Sequence, residues 1–172
     1  MALSVAAVSG YTAQPGRPAA SAKAPERNVA RAGTFGVLQI ATTDPQRLFV
    51  EWAKPTPGVA VTNATRVRRN QPIVTFIIFQ GCKPDASGNC KVTADFEVTA
   101  PNGRLYHKAK GAEVWVGRKA PPKGALQLSV GGLGLKVEDK DPLGPYRVRA
   151  TVTDHVAAVV LRTEQTLTAV AD

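Results

Sequence analysis

The sequence predicts an all-β domain, an antiparallel sandwich of seven to nine short strands, on three observations. From Thr34 onward apolar residues recur with a period of two, the signature of strands with one buried face. Turn-forming Pro, Gly, Asn and Asp punctuate the chain at intervals of about 8–12 residues. No window of a dozen residues carries a convincing helical stripe. Nearly every strand pairs one apolar face with one polar face, so two sheets sharing a core fit better than a barrel. The 172 residues are 44% hydrophobic and 20% charged, with 22 Lys+Arg against 13 Asp+Glu and a net charge of +9. This composition excludes disorder over most of the length. No apolar run approaches the roughly 18 residues of a spanning helix.

Residues 1–33 read as a flexible leader, rich in Ala with scattered Pro and Gly. A short apolar run from Leu3 to Val8 precedes Ala20-Ser21-Ala22, a small-x-small site of the kind a signal peptidase accepts, although nothing basic comes before the run. A disordered Ala/Pro tail is the alternative. The leader carries a net +3, leaving about +6 for the domain at 34–172.

The first strands are expected at Gly36–Thr42 and Arg47–Ala53, the second with Leu48, Val50 and Trp52 on one side. Ile73–Phe79 is apolar on both faces and should be a central strand covered from both sides, or one whose outer face meets another surface. Cys82 and Cys90 flank a turn-rich segment and are expected to close a hairpin tip as a disulfide. Free thiols and a zinc pair are the alternatives, and the two histidines, His107 and His155, offer no ligand spacing. Val92, Ala94, Phe96 and Val98 alternate with polar residues in the next strand, and Ala112–Val116 forms another around Trp115, expected in the core. Two runs, Leu126–Val130 and Leu133–Val137, flank Gly131-Gly132, which marks a turn or a bulge. Tyr146, Val148, Ala150 and Val152 form a strand with Arg147 and Arg149 outward, and Ala158–Val170 is the last.

Asp141-Pro142-Leu143-Gly144-Pro145-Tyr146-Arg147-Val148 resembles the D-x-G-x-Y-x-C approach to the penultimate strand of immunoglobulin-like domains, with one extra residue between Asp and Gly. Asp154 and the long final strand also resemble immunoglobulin-like and macroglobulin-like modules of bacterial envelope proteins, a likeness confined to about residues 141–170. The resemblance implies an immunoglobulin-like β-sandwich in which Tyr146 pins a corner with Asp141 and Gly144 beside it, and in which Val148 replaces the second inter-sheet cysteine.

Catalytic motifs are missing from the sequence: it has no G-x-S-x-G, H-E-x-x-H, Walker loop or dinucleotide fingerprint, so no catalytic residue and no cofactor is assigned. Three carboxylates in Glu138-Asp139-Lys140-Asp141 read as a solvated turn rather than a calcium loop, because Lys140 lowers the negative potential, and no metal site is assigned. Basic residues are the stronger signal. Arg66, Arg68 and Arg69 form one cluster, Lys108, Lys110, Arg118, Lys119 and Lys123 a second, and Arg147 and Arg149 a third. If the fold joins them, they make a surface for a polyanion. Aromatics at 6% argue against nucleic acid, which favours stacking platforms. The expectation is a non-catalytic binding or accessory module, periplasmic or secreted, contacting a protein partner or an envelope polyanion through loops, a basic surface or a strand edge. A proteinase inhibitor presenting the Cys82–Cys90 loop is the second reading, and an enzyme without recognisable motif the third.

Overall fold

The computed structural model describes residues 27–54 and 62–171. Along the chain run β1 (Val29–Ala32), β2 (Phe35–Thr42), α1 (Pro45–Trp52), β3 (Arg66–Arg68), β4 (Ile73–Gln80) and β5 (Asn89–Thr99). They are followed by β6 (Leu105–Lys119), β7 (Gln127–Leu128), β8 (Leu133–Leu135), β9 (Gly144–Asp154) and β10 (Val159–Val170). The first sheet has the order β1-β2-β4-β7, with β8 also on β4; the second has the order β3-β10-β9-β5-β6. The all-β expectation holds, with two qualifications among the described residues: one short helix is present, and β3 runs parallel to β10 where every other pair is antiparallel.

The core lies between the sheets and follows from alternation. Phe35, Val37 and Ala41 of β2 and Ile73, Ile77 and Phe79 of β4 face Val92, Ala94, Phe96 and Val98 of β5 and Tyr146, Val148, Ala150 and Val152 of β9. The opposite side of β4 is apolar too, and a second cluster forms there: Ile40, Phe76, Ile78 and Leu128 are covered by Leu48 of α1. This explains why Ile73–Phe79 has no polar face; it is central in its sheet and roofed by a helix.

Four features differ from the sequence reading. The first sheet begins before residue 34, because Val29–Ala32 pairs with Phe35–Leu38 across a turn at Gly33, whose φ is +58°. Residues 1–26, which hold the signal-like segment, lie outside the described residues. Arg47–Ala53 is not a strand but α1: the Asp44 side chain accepts from the Arg47 amide at 3.0 Å, and Pro45 occupies the first turn, where its missing N–H costs nothing. Leu48 and Trp52, four residues apart, share the covered side, while Val50 is 62% exposed. Cys82 and Cys90 are bonded, with Cα atoms 6.1 Å apart, but they do not cap a hairpin. β4 and β5 belong to different sheets, so the disulfide closes a crossover between them. Gly131-Gly132 does not reverse the chain either: β7 and β8 pair successively with the same strand, and the glycines are a kink between them. A Cβ on Gly132 would meet the Thr75 carbonyl oxygen at 2.6 Å.

That kink joins the sheets. The amides of Val130 and Gly131 donate to the carbonyls of Val114 and Glu113 in β6, at 3.1 and 2.9 Å, while Ser129 Oγ accepts the Ile77 amide that the interrupted strand leaves without a backbone partner. On the opposite side the Glu164 amide of β10 donates to the Arg27 carbonyl at 2.9 Å. Between these seams, buried Gln39 of β2 donates to the Val148 carbonyl of β9 at 3.1 Å and accepts from the Thr163 hydroxyl at 2.7 Å.

Two further networks fix the ends of β9. The Tyr146 hydroxyl donates to the Pro142 carbonyl at 2.8 Å, four residues upstream. Beside it, with the rings edge to face at 5.1 Å, the Tyr106 hydroxyl donates to Asp141 Oδ2 at 2.6 Å. Arg69 donates to the Asp141 carbonyl at 3.2 Å. At the far end, buried Asp154 accepts from the amides of Lys83, Val156 and Ala157 at 2.8, 3.0 and 3.1 Å, tying the disulfide loop to the β9–β10 turn.

Candidate functional site

The outer face of the second sheet is where charged side chains converge. Alternation sends Arg147, Arg149 and Thr151 of β9 away from the core that Tyr146, Val148 and Ala150 enter. The same rule turns Asp95 and Glu97 of β5 and Arg162 and Glu164 of β10 outward. Strand register then aligns them. Lys108 pairs with Glu97, Glu97 with Arg149, Arg149 with Glu164, and Glu164 with Arg27, a cross-strand row of alternating sign. Within it Lys108 forms an ion pair with Glu97, and Arg149 Nε lies 2.5 Å from Glu164 Oε2. The Lys108 hydrogen bond holds the Glu97 carboxyl below its ordinary pKa, and the same bond holds the Lys108 ammonium above its own.

Next to this row runs a second, with Asp95 opposite Thr151 and Thr151 opposite Arg162. Lys110 lies at its β6 end, where a register shift between Ala94 and Phe96 accommodates Gly111, whose amide donates to Asp95 Oδ1 at 2.7 Å. Together these residues line a shallow groove of about 800 Å³ that also takes in Arg147 and Arg27. Among the described residues six cations and three carboxylates line it, a local excess of +3. Two of the carboxylates are held by Lys108 and Arg149, and the third accepts the Gly111 amide. Among the described residues, Arg27, Lys110, Arg147 and Arg162 form no ion pair, so the excess lies at the margins of the groove.

The three sequence clusters are therefore only partly joined. Lys108, Lys110, Arg147 and Arg149 meet in the groove, whereas Arg27 and Arg162 were not singled out from the sequence. Arg66 and Arg68 flank buried Val67 on β3 and extend the cationic side past Thr168 and Val170 of β10. Arg69 belongs to the corner, not the surface patch. Arg118 and Lys119 sit at the opposite end of β6: Arg118 stacks over Trp115 at 5.4 Å and lies 3.5 Å from Glu113, and Lys119 donates to the Ser87 carbonyl at 2.7 Å. Lys123 lies in the β6–β7 connection, away from the groove. Trp115 is half-buried against Phe79, because the shift between Val92 and Thr93 lets Val114 and Trp115 both turn inward.

Other candidate groups are occupied structurally. Asp141 Oδ2 accepts from the Tyr106 hydroxyl and the Glu138 amide, and Asp139 Oδ1 accepts from Asn70. Those bonds hold the Asp141 carboxyl below its ordinary pKa; burial, with the Asp141 hydrogen bond, pushes the Tyr106 phenol up. The Cys82–Cys90 loop is exposed at residues 83–87 and folds on Asp85, whose Oδ1 accepts from the amides of Ser87 and Asn89. Among the described residues no group of three His, Cys, Asp or Glu side chains could hold a metal ion, and no helix is long and apolar enough to cross a membrane.

No known protein family matches the chain, and no curated protein matches it significantly. Among solved structures, a family 123 glycoside hydrolase from Clostridium perfringens, described in connection with glycolipid glycan hydrolysis, aligns with a TM-score of 0.40 at 13% identity. The alignment covers 81% of this chain and 28% of that enzyme, so the chain spans less than a third of its length.

Proposed function

We propose that this protein is a non-catalytic, exported binding module that holds an anionic partner on the outer face of the second sheet. The observation that carries the reading is the excess of +3 in the groove, with its cations at the margins and its carboxylates already engaged. Charge so arranged raises the local concentration of an anion without requiring a reactive group. A bonded Cys82–Cys90 pair supports export, since such a bond persists in oxidising compartments. An immunoglobulin-like arrangement is supported by the Tyr146–Pro142 bond at the start of the penultimate strand.

Binding of the full chain to immobilised heparin, a generic polyanion, tests the proposal. Affinity is expected to fall steeply between low and moderate salt, and R147A and R162A should each lower it by up to about fivefold. Salt-independent binding, or equal affinity of both variants with the parent, would overturn it.

A further inference from the structure

We infer that the ligand of this face is a linear anionic polysaccharide lying across the strands, from Lys110 on β6 to Arg162 on β10. The inference rests on the reading of the face as the contact surface and adds what the ligand must be. Lys110 and Arg162 lie at opposite ends of the row through Asp95 and Thr151. Three strand spacings separate β6 from β10, about 14 Å. A single phosphate or sulfate group reaches one of these cations; a chain with repeated charges reaches both, and the second contact becomes intramolecular.

The lining selects among polyanions. Among the described residues, none of those lining the groove is aromatic, so they offer no stacking platform for nucleic-acid bases. Ala150, itself 1% exposed, is the only apolar member among the described residues, which therefore supply none of the anchors and desolvated pockets of a protein interface. A continuous anionic lipid surface would press on Asp95, Glu97 and Glu164 as well as on the cations, and no apolar side chain in the groove would enter it. A hydrophilic chain with spaced charges can pass over the carboxylates and touch the marginal cations, with the Thr151 hydroxyl between them for a sugar hydroxyl.

Asp95 gives the inference its sharpest consequence. It lies under the path of the ligand, between Lys110 and Thr151, and repels any anion there. Removing its charge should therefore strengthen binding, an outcome that misfolding cannot imitate.

The experiment measures the affinity of the full chain for size-fractionated heparin oligosaccharides, inorganic phosphate and vesicles rich in anionic phospholipid. Affinity is expected to rise with oligosaccharide length until both cations are spanned. With the long fractions, K110A and R162A should each lose up to about fivefold, and D95N should gain by a similar factor. Disaccharide affinity equal to that of long fractions, a loss on D95N, or vesicles binding more tightly than any oligosaccharide would overturn the inference. In those three cases a weakening by R147A would leave the contact face itself standing. A protein that binds no anion in any arm would bring down both.

Discussion

Two buried glutamines make opposite contributions to stability. Gln39 spends both ends of its amide on the other sheet, on the Val148 carbonyl and the Thr163 hydroxyl. Gln165, 2% exposed on β10, has no partner for its Nε2 or its Oε1 among the described residues. A buried polar group without a partner costs about 1–3 kcal/mol. Q165M keeps the shape and removes that cost, so urea unfolding should show a gain of about 1 kcal/mol. Q39M leaves the Thr163 hydroxyl stranded and should lose about 2 kcal/mol in the same assay.

The tyrosine corner gives a second test at this scale. Asp141 ionises more readily in the fold, so its contribution is complete above its ordinary value of 3.8 and is lost as pH falls through the lower folded value. Tyr106 and Tyr146 resist ionisation in the fold, chiefly through burial; their contribution is complete below pH 10.0 and is lost as pH rises. D141N should flatten the acid limb of a plot of melting midpoint against pH, and Y106F the alkaline limb. Unchanged limbs would show that the corner is not the titrating unit.

At the scale of elements, what was legible in the sequence depended on whether the two faces of a segment differed. β5 and β9 have apolar and polar faces throughout, and alternation alone located them, whereas β10 is less regular because Thr163 and Gln165 lie on its buried side and Val160 on its exposed one. α1 was misread because Leu48, Val50 and Trp52 imitate a period of two, while the contacts follow Leu48, Phe49 and Trp52. Asp44-Pro45 was the available signal, a capping side chain followed by the residue best suited to a first turn. β1 and β3 are too short for any period to register, and their positions depend on β2 and β10. β6 was found only around Trp115 because four register shifts against β5 scramble its alternation. The groove was half legible: Lys108, Lys110, Arg147 and Arg149 were visible as charges, but only register places Arg27 and Arg162 beside them.

Those irregularities in β6 have a use. An exposed edge strand invites pairing with another chain, and bulges with outward lysines discourage it. Two caps can be tested at this scale. D44A removes the side-chain acceptor of α1 and should cost about 1 kcal/mol. D154A leaves the amides of Lys83, Val156 and Ala157 without their acceptor and should cost about 3 kcal/mol, with faster proteolysis near residues 83–89.

For the molecule as a whole, the crossover disulfide and the two seams act on the same problem, keeping two sheets in one relative position. Reduction of Cys82–Cys90 opens a short loop and should lower stability by about 2–3 kcal/mol in denaturant titrations, without altering the strand content seen by circular dichroism. G132A attacks a seam directly, since its methyl group would overlap the Thr75 carbonyl; about 2 kcal/mol is expected from that overlap.

The bond from Glu164 to Arg27 joins the last strand to the first described residue, so nearly the whole described chain must be in place before it can close. Contacts of such long range form only after the entropy of the intervening loop has been given up, and topologies dominated by them fold slowly. The β4–β5 crossover, shortened by its disulfide, is the opposite case. In pulse-labelled refolding, strand amides near Cys90 should therefore gain protection early. The Glu164 amide should gain it among the last, so the final act of folding is closure of the margin that carries Arg27 into the groove.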